Sequence, residues 1–163
     1  MTGQKRHQIS LVLLRLLLAA WVGAAVLYVI TSVAEQTSSH LDSLTRDQLA
    51  TIRFPLYYRF GLGIHVAGIV FGFVVWNRSP SENRRRFLFV FLLILLSSLL
   101  ITLDYSFVYL PLQQLITPPG QVRSQQFIQL HNMSRHANEV HLTVILVAAI
   151  LASLPLKSAG PAD

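Results

Sequence analysis

Four long apolar runs divide the chain and constrain its fold more than any other feature of the sequence. They lie at residues 11–33, 55–76, 87–110 and 127–154. A helix needs roughly 20 predominantly apolar residues to cross the hydrocarbon core of a bilayer. Because lipid offers no hydrogen bonds to the backbone, a spanning segment must satisfy its own polar groups, as a helix does. The runs predict an all-α integral membrane four-helix bundle that forms a single domain over residues 1–163.

The composition supports this prediction. Of the 163 residues, 53% are hydrophobic and only 12% are charged. The net charge of +6 could suit nucleic acid, but the arginines stand beside the apolar runs, as in membrane proteins. The expected partner is therefore the lipid bilayer, with no nucleic acid. The absence of cysteine excludes disulfides, thiolate metal sites and a cysteine nucleophile.

The basic residues predict the orientation of the four spans. Cytoplasmic loops carry an excess of Lys and Arg. One side of the predicted bundle has the larger share, namely Lys5, Arg6, Arg78, Arg84, Arg85, Arg86 and Lys157. The other side has Arg46, Arg53 and Arg123. We expect both termini in the cytoplasm, two longer connections outside, and residence in the bacterial inner membrane.

The fourth run is the most informative for function, because its first half is crowded with polar groups. At about 100° per residue, one side of this helix collects His131, Ser134, Arg135, Asn138 and His141, with Asn132 and Glu139 at its border. His136 falls off this stripe. Ionisable groups at membrane depth are costly and normally face a bundle interior or water. The pattern therefore predicts a polar patch that the other helices shelter.

The other spans place polar residues at a similar depth. His65 lies in the outer half of the second span and Asp104 in the outer half of the third. These residues predict one polar layer in the outer half of the bundle and a nearly dry inner half. Arg135 needs an acidic partner at its depth. We expect Asp104 to be that partner, with Glu139, one turn along the same helix, as the alternative.

Small residues predict where helices approach closely. Gly61, His65, Gly68 and Gly72 follow at steps of four, three and four, and the last two glycines form a GxxxG pair. His65 is therefore expected to point into a helix contact and away from lipid. In the first span, Ala20, Gly23 and Ala24 form a patch of small residues, and Arg15 is expected to extend to the near interface.

The connections are less constrained. Residues 35–53 are consistent with an amphipathic surface helix or with a solvated loop. Pro55 suits the first turn of the second span. Residues 111–126, with Pro118, Pro119 and Gly120, indicate a polar connection.

Several short motifs resemble a known family. They are Arg15-Leu16 with Trp21-Val22-Gly23, then residues 54–59 (FPLYYR), and Leu130-His131 followed by Ser134 and Asn138. Together they resemble a bacterial family of small four-span membrane proteins of unknown function that is related to eukaryotic transmembrane protein 205. The resemblance covers about residues 11–154. It implies a four-helix membrane protein and no particular reaction, and it does not extend to His136, Glu139 or His141.

Three functions remain open from the sequence. The first is a polar pocket, open to the outer side, that binds or passes a small solute, ion or proton. Its ligand or proton-relay candidates are His65, Asp104, His131, Arg135, Asn138, Glu139 and His141. The second is a haem- or metal-binding protein using His65, His136 and His141. The third is a non-catalytic assembly or scaffold protein in which the polar layer fixes helix register. The P-loop, G-x-S-x-G, H-E-x-x-H and glycine-rich nucleotide motifs are all missing, so the sequence carries no enzyme signature, and a membrane hydrolase or transferase that uses His and Asp is a further open alternative.

Overall fold

The chain folds into long helices joined by short connections. The computed structural model describes residues 3–156, and over that range it contains helices and no strands. The elements are α1 (Gly3–Thr37), α2 (Ser43–Arg78), α3 (Ser81–Leu103), a π-helical segment (Asp104–Tyr109), α4 (Leu110–Leu115) and α5 (Gln125–Ser153). The third to fifth of these run on as one long helix, Ser81–Leu115.

Within the described residues, four helices are long and apolar enough to cross a membrane, namely Gly3–Thr37, Ser43–Arg78, Ser81–Leu115 and Gln125–Ser153. The prediction of an all-α bundle with four spans is therefore confirmed. Lys157, one of the residues used to predict orientation, lies outside the described residues.

We call the end with connections 38–42 and 116–124 the outer end and the opposite end the inner end, following the predicted orientation.

The helices extend further than the apolar runs. The predicted connection at residues 35–53 shrinks to 38–42, because α2 begins at Ser43 and Pro55 lies inside it. The exposed Asp42 caps this helix by accepting a hydrogen bond of 2.7 Å from the Thr45 backbone N–H. That bond holds the pKa of Asp42 below its usual value. The placement of Pro55 in a first turn was therefore wrong, since a cap thirteen residues earlier starts the helix.

The four long helices form a ring around one core. α1 packs against α2 and α5, and α3 packs against the same two helices. The apolar core toward the inner end includes Leu14, Leu18, Ile94, Ile145 and Ala148, each at most 2% exposed. Beyond it lies a polar contact that the sequence did not predict, in which buried His7 Nε2 is 3.1 Å from Ser79 Oγ.

The glycines of α2 lie inside the bundle. A Cβ atom on Gly61 would lie 2.5 Å from Trp21 Cη2 and 2.8 Å from Ile101 Cδ1, so side chains of α1 and α3 fill its place. At Gly68 and Gly72, a Cβ atom would meet Ile94 at 3.6 Å and 3.3 Å. Gly61 therefore brings the Trp21 ring against α2, one turn from His65.

Candidate functional site

Two histidines from diagonally placed helices meet in the centre of the bundle. His65 of α2 is 3% exposed and His141 of α5 is 2% exposed. Their Nε2 atoms lie 3.3 Å apart, and their ring centroids are separated by 5.2 Å. We call these two residues the histidine pair.

Neighbouring groups fix which ring nitrogens of the pair carry hydrogen. His65 Nδ1 lies 2.7 Å from the Gly61 carbonyl oxygen, which can only accept, so His65 Nδ1 is a donor. The Trp21 indole N–H can only donate, and it lies 3.3 Å from His141 Nε2, so that nitrogen is an acceptor. When both rings are neutral, the Nε2 atoms of His65 and His141 are both unprotonated and face each other.

A hydroxyl from α3 completes the surroundings of the pair. Ser97 Oγ is fully buried and lies 2.8 Å from His65 Nε2, so it donates to that nitrogen when His65 is neutral. The four contributing helices each supply one group at this level: Trp21 from α1, His65 from α2, Ser97 from α3 and His141 from α5. No charged side chain contacts the pair among the described residues.

Asp104 forms a second cluster, nearer the outer end. Its Oδ2 accepts from Tyr58 Oη at 2.5 Å and from Ser134 Oγ at 3.3 Å. Its Oδ1 is buried and has no hydrogen-bond partner within residues 3–156. We call Asp104, Tyr58 and Ser134 the Asp104 cluster.

The π-helical segment begins at Asp104. A π-helical turn shifts the phase of the residues that follow it, and such turns are frequent at functional sites. Tyr105 and Tyr109 lie in the same segment and pack against the Tyr58 ring at centroid distances of 5.1 Å and 4.7 Å. Two rings of the π-helical segment therefore pack against the ring of Tyr58, the residue whose hydroxyl donates to Asp104.

Three aromatic residues, Trp21, Tyr57 and Tyr28, extend from the histidine pair toward the outer end of the bundle. The Trp21 ring contacts His65, His141 and Tyr57 at centroid distances of 5.6, 5.7 and 5.0 Å. Tyr57 stacks on Tyr28 and donates its hydroxyl to Asn138 Oδ1 at 2.8 Å. The sequence pattern identified Trp21 only as part of the short motif Trp21-Val22-Gly23. Its role in the site was missed, because a tryptophan in an apolar run gives no signal beyond lipid or core packing.

No family model, curated protein or solved structure matches this chain. The resemblance to the four-span family therefore stays a prediction, and any function has to be argued from the geometry of the site.

Arg135 is not the partner of Asp104, contrary to our expectation. Its side chain is 59% exposed, and its Nε lies 3.9 Å from Glu139 Oε1, the alternative partner. The cause is the rotation of α5. The helix buries His141, Ile145, Ala148 and Ala152 at steps of four, three and four. Extending that face outward reaches Ser134, and Arg135 is turned about 100° away from it.

The remaining candidates on α5 are divided between the inside and the outside of the bundle. His131 is exposed and stacks on Phe127, and His136 is exposed and lies 3.1 Å from Glu139. The metal set of His65, His136 and His141 is therefore not assembled, since the third member is on the surface. Within residues 3–156, no three His, Cys, Asp or Glu residues are grouped so that they could hold a metal ion.

The sequence did not predict an ion pair between the buried Asp47 and the partly exposed Arg123. Asp47 is 1% exposed, accepts from the Gly120 backbone N–H at 2.9 Å and pairs with Arg123. Gly120 has a positive φ of 87°, which favours glycine. The contact ties the connection between α4 and α5 to the start of α2. The only sequence signals for it were an acidic residue in a segment that could be helical and a Pro-Pro-Gly turn distant in sequence.

Proposed function

We propose that this chain is an integral protein of the bacterial inner membrane, with both termini cytoplasmic, that binds one proton between His65 and His141. The proton reaches the pair from the outer side. This proposal narrows the broader expectation of a protein that binds or passes a small solute, ion or proton. It rests on one observation, the 3.3 Å between the Nε2 atoms of His65 and His141, and on the tautomers that Trp21 and Gly61 assign to the two neutral rings.

A proton added to His65 Nε2 replaces a contact between two unprotonated nitrogens by an N–H that lies beside His141 Nε2 and shares its lone pair with the Trp21 N–H. The Ser97 hydroxyl can rotate to accept from the same N–H, because hydroxyl hydrogens turn to suit their partners. A second proton would have to go on His141 Nε2, where the Trp21 N–H already donates. The arrangement therefore favours one bound proton for the two rings. Histidine is a common proton carrier in membrane proteins.

The surroundings favour access from the outer end and oppose passage through the bundle. The Asp104 cluster and the Tyr57–Asn138 hydrogen bond lie between the pair and the outer end. Toward the inner end, Leu14, Leu18, Ile94, Ile145 and Ala148 are buried and apolar. The polar contact beyond them is at Ser79, 14 residues from His65 on α2, or about 21 Å. We infer that the protein holds a proton that it does not conduct.

A metal ion is the second candidate, since one observation favours it. Two nitrogens bound to a tetrahedral Zn²⁺ at about 2.0–2.1 Å would lie roughly 3.3–3.4 Å apart. The pair has this spacing, but an ion there would displace the Trp21 N–H and would need ligands besides Ser97. Haem suits the pair less well, because two axial nitrogens lie on opposite faces of the macrocycle, and direct contact leaves no space for it. A purely structural pair, as in a scaffold protein, would bind no proton over the physiological pH range.

The sidedness of the site is testable by fluorescence. Trp21 and Trp76 are the two tryptophans of the chain, and Trp76→Phe leaves Trp21 as the single reporter. In liposomes that contain only the purified protein, with its outer end facing the medium, we expect acidification of the medium to quench Trp21 emission, because an imidazolium forms beside the indole. In liposomes that hold the protein in the opposite orientation, the same acidification should have no effect while the lumen stays neutral.

The control for this experiment is His65→Gln in the Trp76→Phe background, which should remove the pH response. A response that persists in this variant, or that appears only in liposomes with the opposite orientation, would contradict the proposal. Metal analysis of the purified protein tests the second candidate separately, because stoichiometric metal that is lost in His65→Gln would favour the ion.

A further inference from the structure

Two arginines converge on the inner end of α5. Arg15 of α1 donates from Nε to the Ala152 carbonyl at 2.7 Å and from Nη2 to the Leu154 carbonyl at 3.4 Å. Arg86 of α3 donates from Nη1 to the Pro155 carbonyl at 2.8 Å. Because these carbonyls belong to neighbouring residues, the helix end brings the two guanidinium groups together.

The two positive charges have no acidic partner within residues 3–156. The arginines that pair with carboxylates there are Arg53, Arg123 and Arg135. The carbonyl end of a helix carries only about half a negative charge, which offsets part of one cation. Arg86 also donates from Nη2 to Asn83 Oδ1 at 3.2 Å, and this acceptor is neutral. The site therefore has an excess of positive charge.

An apolar groove begins beside these arginines. It has a volume of about 570 Å³ and reaches Ser153, Leu154 and Pro155 at the arginine end. Its walls along α1 and α5 are Ala19, Val22, Gly23, Leu146, Ala149 and Ile150. A Cβ atom on Gly23 would meet nothing within 4 Å, so the groove is open at the surface of the bundle that faces lipid.

We propose that this groove binds an anionic phospholipid of the inner leaflet, with its phosphate on Arg15 and Arg86 and one acyl chain along α1 and α5. Charge and shape support this occupant together. A basic site between membrane helices on the cytoplasmic side is typical of sites for anionic lipid head groups. A soluble anion would use the arginines and leave the apolar walls uncovered. The proposal rests on the orientation given under the proposed function, with both termini cytoplasmic, and is independent of the histidine pair.

The test measures lipid affinity of the purified full chain in detergent by native mass spectrometry, with phosphatidylglycerol and phosphatidylcholine as probes. We expect preference for phosphatidylglycerol. Replacing Arg15 and Arg86 together by Gln should lower that affinity about thirtyfold, which is the loss that two charges near the membrane surface imply. The matched control is Arg84→Gln with Arg85→Gln, which removes the same charge from exposed residues of the same end and should change the affinity little.

A second variant keeps the test valid if the double arginine variant does not fold. Gly23→Leu fills the groove without touching the arginines, and we expect it to lose phosphatidylglycerol while its thermal stability without lipid is kept. Equal losses in the two double arginine variants, or full affinity in Gly23→Leu, would overturn the proposal. Binding of inorganic phosphate with the same affinity as phosphatidylglycerol would also overturn it, because that result indicates a site for a free anion. A dimer that Gly23→Leu dissociates would assign the groove to a second copy of the chain and overturn it too.

Discussion

Gly61→Ala is expected to lower the free energy of unfolding by about 3 kcal/mol or more, which is at or above the upper end of the usual cost of overpacking. The new methyl group would lie 2.5 Å from Trp21 Cη2 and 2.8 Å from Ile101 Cδ1. Trp21 has little freedom to move away, because it is fully buried and its N–H donates to His141. The clash should therefore also disturb the histidine pair.

Gly63→Ala is the matched control for this prediction. It lies half a turn away on the same helix, and its Cβ would meet nothing within 4 Å. Alanine is a better helix former than glycine, so this variant should be neutral or slightly more stable. Equilibrium unfolding in mild detergent measures both variants. Equal stability of the two would contradict the close contact between α1 and α2 at Gly61.

Arg123→Leu is expected to cost about 3 kcal/mol, the lower end of the cost of breaking a buried pair, because the carboxylate that loses its cation is buried whereas Arg123 is 35% exposed. Asp47 has an exposed side-chain fraction of 1%, and its other described bond is to the Gly120 N–H. The loss should appear first as release of the connection at residues 116–124. Hydrogen exchange at the Gly120 amide measures that release locally, and thermal unfolding in detergent measures the total.

Arg135→Leu provides the comparison. It removes the same charge from the same half of the bundle, but Arg135 and Glu139 are about 60% exposed. Exposed ion pairs contribute about 0–1 kcal/mol, so this variant should unfold at nearly the temperature of the parent protein. A larger loss for Arg135→Leu than for Arg123→Leu would contradict the positions of both arginines and support the original expectation that Arg135 is the buried cation.

The sequence was sufficient to predict the four spans, because length and hydropathy determine which segments can cross a bilayer. The ends of the helices could not be predicted in the same way. Polar residues extend the helices beyond the apolar runs, and the Asp42 cap begins α2 well before Pro55. Hydropathy identifies the part of a helix that lies in lipid. It gives little information on the polar turns by which the same helix extends beyond the membrane.

The candidate site was predicted in part. His65, Asp104, Asn138 and His141 come inside the bundle, whereas His131, Arg135, His136 and Glu139 do not. A polar stripe by itself does not determine which face of α5 turns inward. That rotation depends on packing of Ile145, Ala148 and Ala152 in the apolar half of the helix. The contact between His65 and His141 depends in addition on Trp21 and Gly61, whose mutual fit is a property of the assembled helices.

The most direct test of the central claim is ¹⁵N nuclear magnetic resonance of histidine-labelled protein in bilayers across a pH titration. His65→Gln and His141→Gln variants assign the two rings. We predict that, at neutral pH, hydrogen is on Nδ1 of His65 and that both Nε2 atoms are unprotonated. On acidification, one proton should appear on His65 Nε2, while His141 Nε2 stays unprotonated. Hydrogen on either Nε2 atom at neutral pH, or uptake of two protons at independent sites, would contradict the account.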